Sequence, residues 1–312
     1  MICDTKFTMG WPPRGDMPVW LTVGNFDGVH LGHQALIRQL IEHAKEDNAE
    51  SVLINFWPNP KVYFSGESGF YLTTRAEKTG LLSKLGIDDV VTLDFDVKMA
   101  VMDAATFLAE VKQHFNLKGI VVGTDFAFGR QRQGTTEILA DLCEDMAIEL
   151  VIFPPFMLEE SPVSSSRIRS ALNEGKVDEA AQLLGRPYAM CSRVISGERV
   201  GKSIGVPTAN LQLDPDKFLP KKGVYATIAH LRKKNYPAVT NVGIRPTFGE
   251  HFMISVETLI LDFNDDIYGE DLRVEFIQWL RPEKKFHAVQ ELVNQIEEDK
   301  IATRRIFENG LK

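Results

Sequence analysis

Gly24-Asn-Phe-Asp-Gly-Val-His-Leu-Gly-His33 is the stretch around which the chain is organised. The apolar run Val19 to Val23 enters it. Leu36, Ile37, Leu40, Ile41 and Ala44, at spacings of three and four, follow it. That spacing predicts strand, tight turn, helix. Gly24, Gly28 and Gly32 let the backbone bend and approach a ligand closely. The unpaired N–H groups of a helix start, with the positive end of its dipole, favour phosphate. His30 and His33 are three apart and share a face on a first helical turn. Two imidazoles beside such a turn suit nucleotidyl transfer, because they can donate hydrogen bonds to a phosphoryl group gaining charge. A Gly-rich strand–helix turn with two surface histidines is the competing reading.

A length of 312 residues implies about two domains. With 44% hydrophobic and 25% charged residues the composition is that of an ordinary globular protein. The net charge of −8 argues against bulk electrostatic binding to nucleic acid. Cys3, Cys143 and Cys191 form neither a zinc-ligand spacing nor a disulfide framework, which predicts a reducing cytoplasm. The N-terminus does not read as a signal peptide. Leu150 to Leu158, broken by Pro154 and Pro155, is too short for a membrane span.

Strands and helices alternate from Val19 onward, after an irregular lead-in over residues 1–18. Ser51 to Phe56, Val90 to Phe95, Gly119 to Gly123 and Ile148 to Phe153 read as buried strands. Asp103 can cap a helix carrying Phe107, Leu108, Val111 and Phe115, and Thr135 or Thr136 can start another. This alternation predicts a parallel sheet covered on both faces, with ligands at the carboxyl ends of its strands. Pro58, Pro60, Gly66 and Gly69 make 57–80 a loop or flap. Near Gly185-Arg-Pro-Tyr188 the pattern changes to short strands: Gly223 to Leu231, Tyr236 to Ile244, Met253 to Phe263 and Leu272 to Leu280. This half reads as an antiparallel barrel closed by an amphipathic helix from His287 to about Asn309.

Four further stretches can carry chemistry. In Gly123-Thr-Asp-Phe-Ala-Phe-Gly-Arg130, Phe126 and Phe128 can flank a planar ring and Asp125 can accept hydrogen bonds from a base or ribose; a strand-end loop with an aromatic plug is the alternative. Ser164-Ser-Ser-Arg-Ile-Arg169 opens a helix over 164–173, whose hydroxyls and N–H groups, with Arg167 or Arg169, can clamp phosphate; an ordinary Ser N-cap with exposed arginines is the even alternative. Gly197 to Gly205 lacks P-loop spacing but can fold over phosphates by its N–H groups, and Thr208 and Asn210 alternate on an extended segment suited to Mg²⁺ with ATP. Taken by itself, that segment reads first as a hairpin turn. Glu257 lies inside the apolar strand Ile254 to Ile260, where a buried carboxylate must be paired or functional, or else lies on the solvated face.

Taken together, these stretches resemble the bacterial bifunctional riboflavin kinase/FAD synthetase family from about residue 19 to about 305. The resemblance rests on GNFDGVHLGH (24–33), YLTTRAEK (71–78), VGTDFAFG (122–129) and SSSRIR (164–169) in the first half. In the second it rests on LLGRPY (183–188), GVPTAN (205–210), GVY (223–225), NVGIRPTF (241–248), VETLILDFNDDIYGE (256–270) and LRPEKKF (280–286). It implies an α/β Rossmann-like nucleotidyltransferase domain of the HxGH type over 1–186 and an all-β six-stranded barrel riboflavin kinase domain with a terminal helix over 187–312. Riboflavin and ATP would give FMN; FMN and a second ATP would give FAD and pyrophosphate, with Mg²⁺ as cofactor. Carried over by position, His30 and His33 would contact ATP phosphates, with Gly24, Phe26, Asp27 and Gly28 shaping that pocket. Gly123 and Asp125 would lie by the nucleotide, and Ser164, Arg167 and Arg169 would bind phosphates. In the kinase half, Thr208 and Asn210 would hold Mg²⁺ and ATP, and Glu257 would be the base for the riboflavin 5′-hydroxyl. Gly197, Gly201, Lys202, Gly205 and Arg281 would sit near the ligands. Riboflavin, FMN, FAD and ATP are the implied partners, with no nucleic acid and no membrane.

Two positions depart from the family pattern: Pro58-Asn-Pro60 stands where Pro-His-Pro is usual, and Ser166 where Thr is usual. Asn59 can donate a hydrogen bond but cannot carry charge. Two rival readings follow. The first domain can adenylylate another phosphate, such as phosphopantetheine or a nicotinamide nucleotide, although an attached kinase barrel making FMN argues otherwise. A flavin-binding sensor without catalysis is the second, opposed by intact His30, His33, Thr208, Asn210 and Glu257.

Overall fold

The apolar runs of the first half pair into one parallel sheet in the computed structural model, which describes residues 5–196, 206–246 and 252–308. Its strands are β1 (Lys6–Met9), β2 (Pro18–Val23), β3 (Glu50–Trp57), β4 (Asp89–Asp94), β5 (Asn116–Gly123) and β6 (Glu149–Phe153), in the order β1-β4-β3-β2-β5-β6. All neighbours run parallel. The chain builds outward from β2 through β3 and β4, then crosses to the other side of β2 with β5. The carboxyl ends of β2 and β5 therefore form the switch point at which such sheets bind ligands. The 24–33 turn follows β2 and the Gly123–Asp125 loop follows β5.

Helices cover both faces. On one, α5 (Ala104–His114) and α6 (Thr136–Asp145) pack Phe107, Leu108, Val111, Leu139 and Cys143 against Leu21, Val52, Ile54 and Val91. On the other, α1 (Leu31–Glu46) and α3 (Arg75–Ser83) pack Ile37, Leu40, Ile41 and Leu82 against Trp20, Leu53, Val90 and Val121. The buried positions of α1 are Leu36, Ile37, Leu40, Ile41 and Ala44, the five that the spacing predicts. Asp103 caps α5 by accepting from Thr106 N at 2.9 Å.

Two expectations for this half need correcting. The lead-in contains β1, an edge strand too short and too exposed for its alternation to register. The 57–80 segment is not all loop: it holds α2 (Pro60–Ser65) and the start of α3. The short α4 (Val97–Val101) also escapes the sequence reading. Beyond β6 come the two-residue strands β7 (Met157–Leu158) and β8 (Ser161–Pro162), then α7 (Ser165–Glu174) and α8 (Val177–Leu184).

The second half is a closed antiparallel barrel of β9 (Tyr188–Ile195), β10 (Ala209–Leu211), β11 (Gly223–Leu231), β12 (Lys234–Pro246), β13 (Phe252–Ile260) and β14 (Asp271–Arg281). The terminal helix α9 spans Val289–Glu308. Leu272, Val274 and Phe276 of β14 are fully buried while Arg273 and Glu275 are not, as the alternation predicts. A hydroxyl ladder crosses the interior: Thr240 Oγ1 lies 2.8 Å from Thr227 Oγ1 and 3.0 Å from Thr258 Oγ1. The chain divides into two compact units, Met1–Ser165 and Ser166–Lys312. This division falls earlier than the expected 186/187 boundary because α8 packs against β9 and β14.

Candidate functional sites

The turn after β2 is strained and multiply anchored. Gly24 N donates to Ile54 O at 3.0 Å. Positive φ then occurs at Phe26 (+48°), Gly28 (+84°) and Val29 (+42°). For Gly28 this is easy; for a β-branched valine it is a genuine outlier, which persists only where the surroundings impose it. The imposing segment is the strap from Tyr71 to Lys78. The buried Asp27 carboxylate accepts from Leu72 N and Thr73 N, both at 3.1 Å, and from Thr73 Oγ1 at 3.3 Å. Gly28 N donates back to Thr73 Oγ1 at 3.1 Å. Ser165 Oγ donates to Asp27 O at 2.8 Å, and Gln34 Nε2 to Val29 O at 2.9 Å. Asp27 is thus the anchor of the turn.

The strap is itself fixed by a reciprocal cap. Thr74 Oγ1 accepts from Glu77 N at 3.2 Å, and Glu77 Oε2 accepts from Thr74 N at 2.9 Å, which sets the start of α3. One turn into the helix, buried Lys78 donates from Nζ to Asn25 O at 3.2 Å and Asn55 Oδ1 at 3.0 Å.

His30 is the N-cap of α1, and its Nδ1 accepts from His33 N at 3.3 Å. The proton of a neutral His30 ring therefore sits on Nε2, which makes that nitrogen a donor. The two imidazoles stack, with centroids 3.6 Å apart and planes at 18°. They share one face, as the spacing predicts, at a helix start whose first N–H groups have no acceptor within the helix.

At the neighbouring strand end, Asp125 is exposed beyond Gly123, and Phe126 N closes a turn on Gly123 O at 3.1 Å. Phe126 and Phe128 do not flank an open slot. They stack on each other at 5.2 Å, and Phe128 packs on Phe107 in the core, which is the aromatic-plug alternative. Asn59 has a local role that answers its departure from the family pattern. Its Oδ1 caps α2 by accepting from Lys61 N at 2.9 Å, ahead of Pro60, and its own N–H donates to Tyr71 Oη at 2.8 Å. Asparagine is among the best N-caps.

Ser164 precedes α7 directly, and the helix runs one residue later than expected. Arg167 and Arg169 fall in the second compact unit, where Arg167 Nε lies 3.6 Å from Glu179 Oε1.

In the barrel, Thr240 and Thr258 are partners in register and point inward, so Asn241 and Glu257, next along each strand, point outward. Asn210 is opposite Glu257 on the other side, and Thr208 Oγ1 donates to Glu257 Oε2 at 3.4 Å. Thr208, Asn210, Glu257 and Asn241 therefore form one patch of hard oxygen donors and amides around a half-buried carboxylate. Such oxygens suit Mg²⁺ bound together with nucleotide phosphates. Among the described residues no three His, Cys, Asp or Glu side chains cluster as a metal cage.

Arg281 is placed otherwise than expected. Its Nε and Nη2 grip Asp299 of α9 at 2.8 and 2.7 Å, and Nη1 donates to Pro282 O at 3.1 Å. All three nitrogens are committed within the protein, which makes Arg281 the clasp of the terminal helix. Gly197, Gly201, Lys202 and Gly205 lie outside the described residues. Sequence reading assigned no role to Lys78, Thr73 or Asn241, and it read the Ser165 hydroxyl with its neighbours as a phosphate contact rather than a bond to Asp27 O. A signal existed for Lys78, which shares a face of α3 with the buried Leu82 four residues on.

Family models described as FAD synthetase and riboflavin kinase match residues 14–167 and 184–307. A bifunctional riboflavin kinase/FMN adenylyltransferase from Listeria monocytogenes is 34% identical over 289 residues, covering 92% of each chain. One from Haemophilus influenzae is 36% identical over 293 residues, covering 93% of this chain and 94% of its own. A crystal structure from Streptococcus pneumoniae, named a macrolide-efflux protein, superposes with a TM-score of 0.85 at 34% identity, over 93% of this chain and 95% of that one. In the described part of the present chain no helix is long and apolar enough to cross a membrane.

Proposed function

Because the chain belongs to the bifunctional riboflavin kinase/FMN adenylyltransferase family, we propose that its two reactions are divided between the His30 turn and the Glu257 patch. The chain phosphorylates riboflavin to FMN with ATP and adenylylates FMN to FAD with a second ATP, releasing pyrophosphate. The two modules are taken as 1–186 and 187–312.

FMN phosphate is already an anion, so adenylyl transfer needs charge neutralisation and alignment rather than a base. The observation that carries this assignment is the stacked His30–His33 pair at the start of α1. There His30 Nε2–H can donate to an α-phosphate as it gains charge, while the positive end of the α1 dipole favours the phosphates. Gly24, Phe26 and Gly28 shape the pocket floor, Asp27 holds it in place, and Gly123 and Asp125 flank the nucleotide. Ser164, Arg167 and Arg169 are assigned to phosphate.

In the kinase step the nucleophile is a neutral alcohol. Glu257 takes its proton as the bond to the γ-phosphorus forms. Thr208 and Asn210 would hold Mg²⁺ with ATP; bound there, the ion would neutralise phosphate charge. The sparse cysteines support a cytoplasmic location. A chromatographic time course with riboflavin and Mg-ATP tests the reading: FMN should appear first and FAD after it. Consumption of phosphopantetheine or a nicotinamide nucleotide instead of FMN would contradict it.

A further inference from the structure

Lys78 is the charged group over which the turn is built, and none of the steps above uses it. It is 9% exposed, on the sheet-facing side of α3. Its Nζ bridges the backbone carbonyl of Asn25 and the side-chain oxygen of Asn55. Asn55 is pinned in turn, donating from Nδ2 to Val91 O at 3.2 Å and Thr92 Oγ1 at 3.0 Å. Lysines are almost never this buried, because desolvating an ammonium is costly. Holding these two oxygens does not require a charge; a neutral NH₂ donor has hydrogens enough for both. A buried cation directly beneath an anion-binding turn does have a use for its charge.

Accepting that the 24–33 turn is the adenylyl-transfer site, we propose that Lys78 is a positioning residue of that reaction. Its ammonium fixes the Asn25 carbonyl from below and supplies the positive charge against which the phosphates settle, so that FAD formation requires Lys78 in its charged form.

The charged groups facing Lys78 are Asp27 of the turn and Arg75 of α3. Burial pushes the Lys78 ammonium down to about 8, Asp27 opposes the shift, and Arg75 adds to it. A neutral amine keeps two hydrogens, matching its two acceptors, so deprotonation removes the charge and leaves the hydrogen bonds. The sign for stability is opposite to that for activity. Between about 8 and the unperturbed 10.5 the unfolded chain binds the proton that the folded chain has released, so this group adds stability as pH rises. Activity should fall across a window in which Lys78 makes the fold more stable, a pattern that a merely structural lysine does not produce.

The test uses the full chain with FMN and Mg-ATP, measuring kcat/KM for ATP in FAD formation across roughly pH 6.5–10. Riboflavin phosphorylation by the same preparation serves as the control. In the wild type the ratio of FAD to FMN formation should fall through an alkaline limb near pH 8. Lys78→Met should lower kcat/KM for ATP about tenfold or more at neutral pH, lose the limb, and leave FMN formation unchanged. Arg75, which lies over the Trp57 ring, is a milder handle. Arg75→Gln should move the limb to higher pH, because it removes a charge that disfavours the ammonium. A flat wild-type ratio, or Lys78→Met within about twofold of wild type and with an unchanged pH profile, overturns the proposal. If Lys78→Met fails to fold, the wild-type limb and the Arg75→Gln shift decide the matter. His30→Ala separates the two levels. Unchanged FAD formation in that variant removes the site itself, whereas loss there with normal Lys78→Met activity removes only the role of Lys78.

Discussion

Replacing Asp27 by asparagine swaps one carboxylate oxygen for an NH₂ group at the point where the strap holds the turn. If Oδ1 stays an oxygen, the bonds from Thr73 N and Thr73 Oγ1 survive, but Leu72 N–H then faces another donor. Losing a bond to an ionised acceptor costs about 1.5–3 kcal/mol net. Weakening the remaining two from charge-assisted to neutral adds about 1 kcal/mol. The sum is about 3 kcal/mol, with no solvent discount because Asp27 is 5% exposed. For a unit of 165 residues this lowers the melting temperature by about 6–12 °C. Calorimetry of the full chain should show one transition displaced by that amount and a second, belonging to the barrel, in place. Well below either transition, FAD formation from FMN should drop, because the positive φ values at Phe26 and Val29 lose the contacts that impose them. FMN formation from riboflavin should not change. A shift under about 2 °C with normal FAD formation would refute the view that the strap holds the turn.

The remaining predictions concern the other anchors. Glu257→Gln should keep riboflavin and Mg-ATP binding, lose FMN formation by about 10²–10⁴-fold, and still convert supplied FMN to FAD; kinase turnover within about threefold of wild type would show that Glu257 is not the base. Asp299→Ala strands the Arg281 guanidinium, whose side chain is 18% exposed, and should destabilise the barrel by about 3–5 kcal/mol in urea unfolding; an unchanged midpoint would return Arg281 to the ligand-binding residues. Asn59→Ala should cost about 1 kcal/mol through loss of the α2 cap, and Asn59→Asp should restore it; a loss of FAD formation in both variants with no stability change would give Asn59 a chemical role instead.

What could be read from the sequence was local. The glycine spacing and the run from Leu36 to Ala44 locate the turn and α1, because both signals lie within a few residues of each other. The barrel strands β11 to β14 were legible through the turn clusters between them and, in β14, through two-residue alternation, whereas β9 and the three-residue β10 were not read as strands. What stayed hidden depends on partners far apart in the chain. Nothing near Asp27 says that its carboxylate will be used by Leu72 and Thr73. Nothing near Arg281 announces Asp299, so a guanidinium in a family motif reads as a ligand residue until its clasp is seen. Asn59 was legible in principle, since asparagine before proline is a helix-start pattern. Its reading as a missing histidine obscured its cap. The strand β1 was hidden because an exposed four-residue edge carries almost no pattern.

Division of labour between two independent sites is tested most directly by complementation. His30→Ala and Glu257→Gln are each supplied with riboflavin and Mg-ATP, alone and mixed, and riboflavin, FMN and FAD are separated over time. His30→Ala alone should stop at FMN, Glu257→Gln alone should leave riboflavin untouched, and the mixture should make FAD through free FMN. FAD from riboflavin by either variant alone, or a mixture that makes FMN but no FAD, would contradict the account.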